Sequence, residues 1–163
     1  MHDVDALIAK SDHLAAAVSG LENATLCPLA QGFSLLPITE ALAEELTLRE
    51  PEVKSSLTKP LPFLSDGLNA LAVGISHETP VVYISTSYFG GHGKQDAVVW
   101  DNGSVRFSPI AKGYDRVWPN SPISQALRMI GVAANDREDE FDALGLGKHR
   151  KTYKWAESTK RAP

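Results

Sequence analysis

The segment Tyr88-Phe89-Gly90-Gly91-His92-Gly93-Lys94-Gln95 is the most unusual in the chain. Three glycines in four positions free the backbone for positive φ and leave its N–H groups open to an acceptor. His92 and Lys94 would add charge and further donors. Gly91, His92, Gly93, Lys94 and Gln95 together therefore offer a physically sensible seat for a phosphate or carboxylate. The spacing is not that of a Walker A loop, and the strand-to-helix setting and paired glycines of a dinucleotide site are missing. A tight or bulged hairpin that requires glycine accounts for the same residues with fewer assumptions. Under that preferred reading, alanine at Gly90 or Gly91 lowers stability while His92→Ala leaves it almost unchanged. Binding at 90–95 stays as the alternative.

The other residues with chemical potential are scattered. The five histidines, His2, His13, His77, His92 and His149, include no pair at the helical spacing that puts two imidazoles on one metal, so neither a metal site nor a cofactor is expected. Ser85, Thr86 and Ser87 are hydroxyl nucleophiles in principle, but no nucleophile-elbow sequence surrounds them. Alternating polar residues on a strand are ordinarily its solvent face. Cys27, between Leu26 and Pro28, could act as a thiol nucleophile with His77 or His92, yet a single cysteine in such company is ordinarily a small buried apolar residue. Glu44, Glu45, Glu50 and Glu52 form one carboxylate group, and Asp136, Glu138, Asp139, Glu140 and Asp142 another. The second lacks the alternating ligands and central glycine of an EF-hand loop. Such clusters are solvated, or they present a negative surface that captures a basic partner quickly.

The elements that must position these residues follow from periodicity. Leu7, Leu14, Val18 and Leu21 recur along Asp3 to Leu21 as on an amphipathic helix. Phe33 to Ile38 reads as a short strand, and Thr39 can cap a helix over Glu40 to Leu48. Residues 49–62, with three prolines, form an irregular connector, after which Ser65 or Asp66 opens a helix whose apolar face holds Leu68, Leu71, Ala72 and Ile75. Val81 to Phe89 is rich in β-branched and aromatic residues, Ala97 to Trp100 is a second apolar run, and Asn102-Gly103 is a strong hairpin turn into Val105 and Phe107. Ser121-Pro122 then opens a helix with Ile123, Leu127 and Ile130 on one side, stopped near Gly131. Leu144 to Trp155 reads as a short element docked by its apolar residues. The expected fold class is α+β, with an antiparallel β-meander at about 81–108 covered by helices on one face.

Composition sets the outer bounds. The 163 residues are 43% hydrophobic, enough for one core, and no repeat or long linker divides them, so 1–163 is read as a single domain. One cysteine excludes an intramolecular disulfide framework. Residues 1–20 lack the basic start and unbroken apolar stretch of a signal peptide, and no segment has the length of a membrane span. The expected location is cytoplasmic, with no membrane association. The net charge of −4 is unevenly shared: residues 1–147 carry a balance of −9, whereas the tail 148–163 carries +5. The ordinary reading of that tail is a solvated end, resting on the protein's own acidic surface. Nucleic-acid binding wants a basic face on the folded body, and here the body is acidic, which disfavours it.

Two stretches of the second half carry a resemblance. Val82-Tyr83-Ile84 through Tyr88-Phe89-Gly90-Gly91-His92-Gly93-Lys94-Gln95 to Ala97-Val98-Val99-Trp100 and Asn102-Gly103 is one. Ile123 to Val132, followed by Glu140 to Arg150, is the other. Both resemble a group of uncharacterised bacterial proteins, small, acidic and single-domain, of the kind associated with immunity partners of interbacterial toxins. The resemblance supplies no catalytic residues and implies structural roles for its motifs: glycines for turns, Trp100 and Phe141 for the core.

With no legible active site, the sequence points to a non-enzymatic binding protein, an immunity protein that occludes a cognate bacterial toxin or effector domain. The alternative is a small enzyme or an anion- or ligand-binding domain using loop 90–95. Steering charge is expected from Asp139 and Glu140, whose reversal should mainly slow association. Anchoring area is expected from exposed members among Tyr88, Tyr114, Trp118 and Trp155.

Overall fold

The computed structural model describes residues 2–49, 64–89, 92–108 and 121–160. Its frame is a six-stranded antiparallel sheet in the order β2-β3-β1-β4-β5-β6, from strands His2–Lys10 (β1), Cys27–Pro28 (β2), Phe33–Pro37 (β3), Val81–Phe89 (β4), His92–Asp101 (β5) and Ser104–Phe107 (β6). Helices Ser11–Val18 (α1), Glu40–Arg49 (α2), Asp66–Ser76 (α3), Pro122–Met129 (α4), Glu140–Leu144 (α5) and Thr152–Lys160 (α6) pack on it. The class is α+β, and β4, β5 and β6 form the expected meander. Among the described residues, no helix is long and apolar enough to cross a membrane.

Local chemistry sets most element ends where the residue types predict. Thr39 Oγ1 accepts from Leu42 N–H at 3.2 Å and Ser65 Oγ from Leu68 N–H at 3.1 Å, capping α2 and α3. Ser121 caps α4, with Pro122 in its first turn. Asn102 and Gly103 both adopt positive φ, the requirement of the two-residue turn between right-twisted strands. The turn tip is held by α3: Asn102 N–H donates to the Ser76 carbonyl at 2.8 Å and Gly103 N–H to Ser76 Oγ at 2.9 Å.

The N-terminus departs from expectation. Residues 2–10 are not the first turns of a helix but a strand in the middle of the sheet, and helix begins only at Ser11. Val4, Ala6, Leu7, Ile8 and Ala9 are all buried because β1 lies between β3 and β4 with both of its faces covered. A strand buried on two faces has no reason to alternate, so its composition mimics a helix.

Helical cover is divided between both faces rather than confined to one. Val4, Ala6, Ile8, Val82, Ile84, Ala97 and Val99 point to the side of α4, α5 and α6, where Ile123, Leu127, Leu144 and Trp155 complete one core cluster. Leu7, Val81, Tyr83, Val98 and Trp100 point to the side of α1, α2 and α3, where Leu14, Leu42, Leu46, Leu68 and Ile75 complete the other. Both parities of each central strand are apolar, so both must be removed from water.

The basic tail is likewise not a solvated end over its described part. Residues 152–160 are helix, and Trp155, 2% exposed, sits in the first cluster. Burial of an indole outweighs the charge of its neighbours, whose heads stay in water.

Candidate functional site

Several of the residues singled out in the sequence are used by the fold. Gln95 is 7% exposed, and its Oε1 accepts from Ile123 N–H at 3.1 Å, so it secures the start of α4. Phe89 pairs with His92 and Tyr88 with Gly93 in the β4–β5 ladder, which makes this segment the hairpin end of two strands. Gly90 and Gly91 lie outside the described residues, as do Tyr114 and Trp118 and the side chains of Tyr88, His92 and Lys94. Thr86 is not on a solvent face: at 1% exposure its hydroxyl accepts from Val4 N–H at 2.9 Å and lies 2.7 Å from His2 Nδ1. Cys27 is a buried thiol donating to the Trp155 carbonyl at 3.2 Å, and burial pushes its pKa up, away from the reactive thiolate.

Two of the candidate partner contacts are turned inward. Trp155 is core rather than exposed anchor. Glu140, 6% exposed, binds Arg128 Nε through Oε1 at 2.8 Å, tying α5 to α4. Asp139 is half-buried and accepts from Asp142 N–H at 2.8 Å as the N-cap of α5. In the other acidic group, Glu45 holds the loop at Glu22 and Asn23, while Glu50 and Glu52 fall outside the described residues. An acidic run can thus be structural when each carboxylate finds N–H groups or a guanidinium nearby.

A polar cleft of about 520 Å³ remains on the α1–α3 face, where α2 and α3 begin. Its back wall is sheet: Asp5 is in register with Ser85, and Ser85 with Asp96, so three polar residues cross three neighbouring strands in one row. The adjacent row, Leu7, Tyr83 and Val98, is buried core. Tyr83 O–H donates to Asp5 Oδ1 at 3.0 Å, joining the two rows. Burial, then the neighbouring Asp5 charge and this hydrogen bond, push the phenol far above its ordinary range, so it is a fixed donor at neutral pH. Asp5 and Asp96 stand two strands apart, roughly 9 to 10 Å.

The side walls come from helix starts. Thr39 and Glu40 of α2 and Ser65 of α3 border the opening, and Ile38, Ala43, Leu64 and Leu68 give it an apolar floor. The first-turn N–H groups of Leu42 and Leu68 are already taken by Thr39 and Ser65. Asp5, Glu40 and Asp96 therefore dominate the chemistry, and no Lys, Arg or His is among the described residues lining the cleft. Such a site favours a cation or a cluster of hydrogen-bond donors. Among the described residues no group of three or more His, Cys, Asp or Glu is placed to hold a metal ion. A second groove, about 640 Å³ between α1 and α3, has a mainly apolar lining that includes Ala17, Leu21 and Leu71, with His13, Arg49 and Glu78 also bordering it.

The cleft is not legible in the sequence because the apolar pattern of Asp3 to Leu21 reads as a helix and puts Asp5 on it. The readable signal was parity: Tyr83, Ser85 and Ser87 alternate on one side of β4, and Asp96 precedes the apolar run of β5. Only the pairing of β1 with β4 adds Asp5 to that row. Comparison with protein-family models, with curated proteins and with solved structures finds no match.

Proposed function

We propose that this chain is a non-enzymatic binding protein, an immunity protein that neutralises a bacterial toxin by direct occlusion, with the acidic cleft receiving a basic element of the toxin. The observation that carries this reading is the make-up of the cleft: Asp5, Glu40 and Asp96 around hydroxyl side chains, above an apolar floor, with no basic residue among its described lining. Carboxylates in and around a cleft raise the encounter rate with a cationic surface, and the apolar floor supplies contact area once it is docked. The surplus of acid over base in residues 1–147 extends the same field beyond the cleft. Steering is thereby assigned to Asp5, Glu40 and Asp96, which keep some exposure at the cleft, rather than to Glu140, which is 6% exposed and paired with Arg128.

The test is co-expression with the product of the neighbouring gene, followed by protection assays and binding kinetics. One-to-one binding is expected, with Glu40→Gln and Asp96→Asn slowing association by up to about tenfold at low salt and changing dissociation little. A protein that neither binds nor protects against any neighbouring product, yet retains or turns over a small molecule, would move the assignment to an enzyme or ligand-binding domain.

A further inference from the structure

β3 leaves the edge of β1 at the pair Ala6 and Pro37, with one more bond from Ile38 N–H to the Asp5 carbonyl, so the start of β1 is paired in full only with β4. The C-terminal segment takes the remaining edge. Asp3 N–H donates to the Arg150 carbonyl at 2.8 Å, Asp3 bridges Lys151 in parallel, and Asp5 N–H donates to Thr152 Oγ1 at 3.0 Å. α6 follows, and Trp155 enters the core with its carbonyl on the Cys27 thiol. A basic segment is thus held by a narrow seam of hydrogen bonds and one indole.

Two imidazoles line that seam. His2 lies against Thr86 Oγ1 and tilts over Phe141 with 5.5 Å between ring centroids. His149 meets Trp155 edge to face at 4.7 Å, and its Nε2 is buried without a hydrogen-bond partner. The charges facing them are mostly positive: Lys148 and Lys154 beside His149, and Arg150 beside His2. Opposing these are Asp3 and a hydrogen bond with the Leu146 backbone, both at His2. On β2, the Cys27 thiol is held neutral by burial. Desolvation first, and these cations second, place both imidazoles below the ordinary histidine value of 6.5.

We propose that residues 149–160 form a proton-sensitive latch, docked while His2 and His149 are neutral and released when they take up protons. His149 on the segment and His2 on β1 both bind protons more readily once the segment is released, so docking weakens as pH falls through 6.5 and continues to weaken down to the docked-state values. Each unit by which docking lowers an imidazole's pKa makes docking about tenfold weaker at the acid end. Release bares the Trp155 indole and the free edge of β1, and separates the cationic segment from the acidic body.

Hydrogen exchange by mass spectrometry on the full chain, near pH 8 and near pH 5 and corrected for the intrinsic pH dependence of exchange, tests this over the span in which imidazoles change charge. A peptide covering 149–160 should lose protection at the acid end while a peptide from 81–87 keeps its own. His149→Phe preserves a ring against Trp155 and His2→Gln a hydrogen-bonding partner for Thr86; the double variant should keep 149–160 protected under both conditions. Equal protection at both pH values, simultaneous loss in the two peptides, or an unchanged transition in the double variant overturns the proposal. Should the double variant fail to fold, an NMR titration of the wild-type imidazoles decides: a His149 pKa at or above 6.5 overturns it, and values below 6.5 for both rings support it.

Discussion

Gln95 Oε1 accepts the backbone N–H of Ile123 at 3.1 Å, fastening the strand that leaves the glycine-rich hairpin to the first turn of α4. The N–H groups of a first helical turn have no partner within the helix, so a buried side chain that supplies one is costly to lose. Gln95→Leu is expected to lower stability by about 1 to 3 kcal/mol. Urea denaturation measures it, and a stability change near zero would mean that water replaces the amide.

The pair Arg128 and Glu140 separates a folding role from a binding role. The Arg128 side chain is 48% exposed, so on Glu140→Ala it rehydrates, and the loss should be only about 1 kcal/mol. Glu140→Lys instead places a second cation in a buried position beside the guanidinium, at a cost of about 3 kcal/mol. Asp139→Asn keeps the cap of α5 and should be neutral, whereas Asp139→Ala loses about 1 kcal/mol. Thermal denaturation of the four variants gives the order directly.

Two glycines of α3 should respond in opposite senses. A Cβ on Gly67 would stand 2.5 Å from the Leu46 carbonyl oxygen, backbone that cannot turn aside, so α3 must move off α2. Gly67→Ala should destabilise by about 1 to 3 kcal/mol. A Cβ on Gly74 would meet nothing within 4 Å, and Gly74→Ala should stabilise by up to about 1 kcal/mol through helix propensity alone. Chemical denaturation of both checks the contrast.

Glu45 gives the fold an acid-sensitive tie. Burial works against its charge, but the N–H groups of Glu22 and Asn23, the Asn23 amide and Arg49 outweigh it and hold the carboxyl below its ordinary 4.5. A depressed carboxylate contributes stability above its unfolded value and loses it as pH falls through the folded one. Wild type should therefore lose more stability than Glu45→Gln on acidification below 4.5. Parallel curves for the two proteins in denaturation at stepped pH would rule the tie out.

In the cleft, Tyr83→Phe removes the donor to Asp5 while leaving the ring in the core. Asp5 then has one hydrogen-bond partner fewer, so stability should fall by about 1 kcal/mol or less, while partner association, which does not use the phenol, should be unchanged. Stopped-flow association beside a melting curve distinguishes the two effects. A marked drop in association rate would instead give the phenol a direct place at the interface.

The chain's local chemistry determined a large part of this protein. Thr39, Ser65 and Ser121 cap where hydroxyls before an apolar period should cap, and Asn102-Gly103 turns where two positive φ values are needed. The β4–β5–β6 meander follows from short-range pattern and turn chemistry, both carried within a few residues. Trp100 is fully buried in one core cluster, and Phe141, partly buried, packs against the other.

Tertiary structure decided what depends on distant partners. Whether residues 2–10 are helix or strand was settled by β3 and β4, because an apolar run without alternation has no period of its own and takes the state its neighbours complete. The same pairing placed Asp5 beside Ser85 and in one row with Asp96, making a cleft from residues up to 91 positions apart in the chain. It also left the edge that Arg150 to Thr152 fill, turning a basic tail into part of the sheet's margin. Charge and hydropathy name the residues able to solvate or to bury; only the register of strands says which of them meet, since a carboxylate's partners are fixed by geometry across the sheet and not by spacing along the chain.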